Sequence, residues 1–189
     1  MLTYCGKTTF PVRLQDNPTY HHWPGENKKC LYGEGIYVGY RHYERLGIKP
    51  LFPFGHGLSY TTFEYGRISL SSPVLRENRP LTITLAITNM GNVTGAEVVQ
   101  VYVHDVKSRL PRPEKELAAF EKVFLQPGET KHVFLNLNKY SVGYYDTKLK
   151  AWIAEEGVFK VLVGASSADI RYDSSLFRTI SIATLSLQS

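Results

Sequence analysis

The sequence predicts a mainly β chain built around an antiparallel β-sandwich, with a stretch of different character before it. Three observations point there. From about residue 61, apolar and polar residues alternate with a period of two, as in a strand with one face buried. Turn-forming residues interrupt these runs at short, regular intervals, and helical spacing is scarce among them. Residues 1–60 are instead rich in Pro, Gly, Tyr and His and keep no sustained period.

The strands can be justified in order. Thr62-Phe63-Glu64-Tyr65-Gly66-Arg67-Ile68-Ser69-Leu70 alternates, and Leu81 to Thr88 does so more cleanly, with Leu81, Ile83, Leu85 and Ile87 on one face. Asn89-Met90-Gly91-Asn92 and Gly95 supply a turn before Glu97 to Val103. Pro111-Arg112-Pro113 breaks the chain, and Leu117 to Leu125 resumes it. In Gln126-Pro127-Gly128-Glu129, proline presets one backbone angle and glycine permits the next. Further strands follow at Lys131–Leu137, Gly143–Tyr145, Ala151–Ile153 and Gly157–Gly164. Some seven short strands without an inter-sheet cysteine pair favour a fibronectin-like over an immunoglobulin sandwich. Its core is expected to draw on Leu81, Ile83, Leu85, Ile87, Val99, Val101, Val103, Phe134, Trp152, Phe159 and Val161. After Asp173 the mixed sequence reads as a tail that frays or adds an edge strand.

Residues 1–60 carry the most distinctive motifs. Tyr32-Gly33-Glu34-Gly35-Ile36-Tyr37-Val38-Gly39-Tyr40-Arg41-His42-Tyr43 leads into a segment, Ile36 to Leu46, that fits either a short helix ended by Gly47 or an extended run. Then comes Pro50-Leu51-Phe52-Pro53-Phe54-Gly55-His56-Gly57-Leu58-Ser59-Tyr60-Thr61-Thr62-Phe63-Glu64-Tyr65, a shaped aromatic connector that delivers the chain into a strand. Both stretches closely resemble the C-terminal region of glycoside hydrolase family 3 β-glucosidases, the fungal ones especially. Arg112-Pro113-Glu114-Lys115-Glu116-Leu117, Leu125-Gln126-Pro127-Gly128-Glu129-Thr130 and Val161-Leu162-Val163-Gly164-Ala165-Ser166 extend the resemblance. It implies that residues 1–60 are the end of an α/β sandwich domain plus a connector, that 61–172 form a fibronectin type III-like domain, and that 173–189 are a tail. It also implies a C-terminal fragment, because the catalytic barrel and most of the sandwich would lie upstream. Met1 to Cys5 falls outside the resemblance and lacks the basic start and apolar core of a signal peptide. Those residues read as a false start or, alternatively, as a divergent genuine N-terminus.

Composition narrows the partners. The formal net charge is +5, but Lys and Arg are scattered, with no basic run or aromatic signature suited to nucleic acid. The apolar runs are too short to span a bilayer as helices. Cys5 and Cys30 make no disulfide framework or metal-ligand spacing; two independent thiols are favoured over one bridge, and the compartment stays undecided. Asn92-Val93-Thr94 is an acceptable N-glycosylation sequon, whereas proline blocks Asn17-Pro18-Thr19.

Retaining glycosidases place a nucleophilic and a proton-donating carboxyl about 5–5.5 Å apart. In the family resembled, an Asp of the barrel and a Glu earlier in the sandwich do this work, and both lie upstream, so no catalytic or substrate-binding residue is expected here. Glu34, between two glycines, reads as a loop hydrogen-bonder; Glu114 and Glu116 as solvated or ion-paired surface; Asp105 and Asp146 as strand-end groups bonding nearby amides. His21-His22-Trp23 reads as a packed loop in preference to a sugar-stacking site. His56 reads as structural, and His42, His104 and His132 as isolated from any metal. No cofactor is expected. The leading reading is a non-catalytic part of a β-glucosidase that braces upstream catalytic domains of the same enzyme and meets carbohydrate only within it. The alternative is an autonomous fibronectin-like binding or adhesion module, against which the aromatic residues 1–60 speak.

Overall fold

A computed structural model describes residues 4–5, 8–179 and 182–186. In chain order the elements are β1 (Tyr4–Cys5), α1 (Tyr40–Leu46), β2 (Gly57–Leu58), β3 (Phe63–Tyr65), β4 (Ser69–Leu70), β5 (Val74–Leu75), β6 (Leu81–Asn89), β7 (Gly95–Asp105), β8 (Glu116–Leu125) and β9 (Thr130–Leu137). They continue with α2 (Lys139–Val142), β10 (Tyr144–Asp146), β11 (Ala151–Ala154), β12 (Gly157–Gly164), β13 (Ile170–Thr179) and β14 (Ile182–Ser186).

Two sheets face each other. One has the order β5-β13-β12-β7-β8, antiparallel except for the parallel pair β13 and β5. In the other, β6 is central, with β9 along one edge and β3 and β4 sharing the other. The alternating face of β6 is fully inside: Leu81, Ile83, Leu85 and Ile87 meet Val99, Val101 and Val103 of β7 and Phe159, Val161 and Val163 of β12. The rings of Phe159 and Phe177 stack at 5.6 Å. Asn89 is buried at the end of β6, and its amide donates to the Val93 and Leu125 carbonyls while its oxygen accepts from Thr61 and Gly91. That full set of partners makes the polar burial tolerable.

Several expectations need correction. Phe134 is 63% exposed, because the register of β9 on β6 sets Leu81 opposite Leu137, Ile83 opposite Leu135 and Leu85 opposite Val133, turning Val133, Leu135 and Leu137 inward. Trp152 is half-buried and packs on the core from its rim, within a separate small sheet β10-β11-β14. The strand expected over 62–70 is split into β3 and β4, and Gly66 between them lies against Ala86, close enough that a Cβ would crowd it. Of the two readings for the chain after Asp173, the added strand holds, though β13 runs to Thr179 between β12 and β5 and only β14 lies at an edge, that of the small sheet. Of the two readings for residues 36–46, the helix holds, but only from Tyr40, and Gly47 ends it with φ of +63°.

Candidate functional site

The feature to which most of the distinctive residues contribute is a joint between residues 8–60 and the sandwich. Helix α1 turns Tyr40 and Tyr43 inward. The Tyr40 ring packs on Phe54 of the connector at 5.2 Å and edge-on to Tyr102 of β7 at 5.8 Å. Its hydroxyl accepts a hydrogen bond from the Leu117 N–H of β8 at 2.9 Å. The Tyr102 hydroxyl donates to Gln100 Oε1 at 2.6 Å, and the Gln100 amide donates to the Ala165 carbonyl at 2.6 Å and the Gly55 carbonyl at 3.5 Å. Ser167 N–H donates to the Phe54 carbonyl at 2.9 Å. Gly55 has φ of +80°, and a Cβ there would run into the Gln100 carboxamide, so this glycine is required on both counts. One buried amide on a central strand thus ties the connector to the turn after β12.

Ion pairs close the rim. Lys115 reaches Glu44 of α1 at 2.9 Å, and Arg41 stands 3.8 Å from Glu116. Burial pushes the Glu44 carboxyl above its ordinary range and the Lys115 ammonium pulls it back; its Oε2 is buried with no hydrogen-bond partner. Burial likewise pushes the His42 imidazole down and the Tyr43 phenol up. Beyond the joint, the Glu97 carboxyl is raised by burial beside Tyr65, whose phenol is raised for the same reason. Tyr65 Oη donates to Glu97 Oε1 at 3.2 Å.

The residues singled out in the sequence fall as follows. Glu114 is exposed, with His104 Nδ1 3.8 Å from its carboxylate, whereas Glu116 is ion-paired and, with Lys115, serves the joint and not open surface. Asp105 and Asp146 accept from the amides of Lys107, Lys148 and Leu149. Glu34 is half-buried with Oε2 unpartnered. His56 stacks on Phe52 at 5.4 Å. His21 sets its ring edge-on to Tyr20, while Trp23 projects with 77% exposure. Cys30 is a free, exposed thiol; the Cys5 side chain lies outside what is described. Among the described residues no group of three or more His, Cys, Asp or Glu side chains is placed to hold a metal ion. Tyr40, Gln100 and Tyr102 were not singled out. Polar Gln100 between Val99 and Val101 was the available signal, since such a group needs a buried partner.

A family model described as a fibronectin type III-like domain matches residues 97–167. The chain is 52% identical over 162 residues to thermostable beta-glucosidase B of Acetivibrio thermocellus, covering 86% of this chain and 22% of that protein. Against probable beta-glucosidase I of Aspergillus fumigatus it is 47% identical over 167 residues, covering 86% and 20%. Among solved structures, a β-glucosidase from Kluyveromyces marxianus superposes with a TM-score of 0.87 at 39% identity, over 94% of this chain and 22% of that one. The GH3 beta-glucosidase of Bifidobacterium adolescentis gives 0.84 at 36%, over 91% and 25%. Fold and joint define a fibronectin type III-like sandwich carrying a docked aromatic segment. The chain corresponds to the C-terminal part of a glycoside hydrolase family 3 β-glucosidase and spans about a fifth of the length of the relatives it matches. Acetivibrio thermocellus among those relatives shows that the likeness is not confined to fungi.

Proposed function

We propose that this chain is the non-catalytic C-terminal portion of a retaining β-glucosidase, which as a whole hydrolyses terminal β-D-glucosyl residues, and that it braces the upstream catalytic domains. The observation that carries this reading is the correspondence of most of the chain to one fifth of longer β-glucosidases. The anchored segment supports it. Leu31, Val38, Leu46, Leu51 and Leu58 are all exposed on residues 31–58, aliphatic side chains suited to lying against the rest of an α/β layer. On this reading residues 1–60 complete that layer and the sandwich from 61 onward, with β13 carrying it on to Thr179, forms the brace, while the nucleophilic Asp and the acid/base Glu belong upstream. An autonomous adhesion module would not account for the match of 86% of the chain to one stretch of longer β-glucosidases.

A chimera tests the proposal. This chain, joined to the catalytic part of the Acetivibrio thermocellus enzyme in place of the corresponding stretch, should yield aryl β-glucoside hydrolysis. The chain alone should yield none above a host-protein control. Turnover by the isolated chain, or an equally active chimera carrying an unrelated sandwich, would sink it. Asn92 is proposed as a glycan acceptor on a secretory route, since it is exposed in the turn before β7. Secretion from yeast should then add mass that Asn92→Gln abolishes, and an unmodified secreted chain would refute this.

A further inference from the structure

A groove of about 620 Å³ lies beside the joint, between α1, the start of β8, α2 and the small sheet of β10 and β11. Its size is that of a small-ligand site. Half-buried Trp152 forms part of its wall, and Tyr140 and Tyr145 stand against that ring, each 6.0 Å away and steeply inclined at 87° and 68°. Both tyrosines are exposed at their outer edges. The position of Tyr140 is built in: Asn138 caps α2, its side chain accepting from the N–H groups of Tyr140 and Ser141, while Ser141 Oγ accepts from the Asn138 N–H.

The charges of the groove are balanced. Arg112 is only 6% exposed; it donates to Glu116 Oε1 at 2.8 Å and to the Val142 carbonyl at 2.7 Å, and stands 3.4 Å from Asp105. Arg41 faces the other oxygen of Glu116 at 3.8 Å. Two guanidinium groups against two carboxylates leave no net charge to attract a phosphate, a nucleic acid or an acidic peptide. What remains is an aromatic corner ringed by fixed donors and acceptors. That suits a neutral ligand with C–H faces and many hydroxyls, because ring faces carry negative density that attracts polarised C–H groups.

We propose that this groove is a carbohydrate-binding subsite taking a short β-gluco-oligosaccharide, with Trp152, Tyr140 and Tyr145 covering sugar faces and Arg41 and Glu116 bonding hydroxyls. The choice of a glucan rests on the β-glucosidase reading above; the choice of a neutral carbohydrate rests on the groove alone. Such a subsite would hold substrate chains on the brace.

The sequence contains two tryptophans, so Trp23→Phe leaves Trp152 as the sole tryptophan, read by excitation at the red edge where tyrosine does not absorb. Titrating that variant with cellotetraose and with laminaritetraose should give a saturable spectral change with at least one of them, half-complete at about a millimolar. Adding Tyr145→Ala should weaken it about tenfold with circular dichroism unchanged, and Tyr140→Ala serves should the first variant misfold. No saturation with either sugar, or saturation indifferent to both tyrosine variants, overturns the groove as a subsite and leaves the chimera result untouched. An equal response to mannotetraose overturns the glucan assignment, and with it the link to the β-glucosidase reading.

Discussion

Tyr40 is the side chain on which the joint most depends, so its removal should free the aromatic segment without unfolding the sandwich. Tyr40→Phe deletes only the oxygen that accepts from Leu117 N–H. An orphaned buried donor costs about 1–3 kcal/mol. Leu117 lies on β8, the outermost strand of its sheet, where water reaches the backbone, so about 1 kcal/mol is the working figure. Tyr40→Ala also removes the ring from between Phe54 and Tyr102, a loss of about 3–5 kcal/mol for an aromatic truncation. Limited proteolysis reads these numbers directly when opening is fast compared with cleavage, because the rate then follows the open population. With a tenfold change per 1.4 kcal/mol, cleavage between residues 8 and 58 should rise about fivefold in Tyr40→Phe. In Tyr40→Ala it should rise on the order of a hundredfold or more. The fragment from about Tyr60 onward should resist in every case. If Tyr40→Ala is cut in that segment no faster than the parent chain, the joint is held by other contacts and the reasoning fails.

Two further outcomes follow from the core and from a buried acid. Phe159→Ala should lower the melting temperature by roughly 6–20 °C, from about 3–5 kcal/mol for the cavity and about 2–4 °C per kcal/mol at this chain length. Phe134→Ala, on the outward face of β9, should stay within about 0.5 kcal/mol; comparable losses in the two variants would mean that the face of β9 is misassigned. Glu97 binds its proton more tightly folded than unfolded, since burial outweighs the help from Tyr65 and the Val98 N–H. Its favourable contribution is therefore complete below its ordinary value of 4.5 and is lost as pH rises through the higher folded value. Glu97→Gln stays neutral and can still accept from Tyr65, so its stability advantage over the parent should widen between mildly acidic and neutral pH in urea titrations. A pH-independent difference would show that Glu97 is adequately compensated when ionised.

Much of the sandwich was legible because its strands carry their burial in their alternation. β6 reads as Leu81, Ile83, Leu85, Ile87 without any knowledge of its neighbours, and β12 lies where its apolar run begins and ends at glycines. β9 was legible as a strand but misread in its facing. Phe134 is the largest apolar group there, but Val133, Leu135 and Leu137 alternate with it and it is their face that turns inward. β13 was hidden because Arg171, Tyr172 and Asp173 carry too few apolar residues to mark a face.

The sequence by itself determined the fold class, the turns and the family, since alternation, Pro-Gly pairs and the long aromatic motifs are local properties of the chain. Only the tertiary structure decided which polar groups meet. Leu117 lies 77 residues from Tyr40, Ala165 lies 65 from Gln100, and Tyr140, Tyr145 and Trp152 make one corner only when α2 is set against the small sheet. Hydrogen bonds and ring contacts act over a few ångströms of space, and distance along the chain carries no record of them.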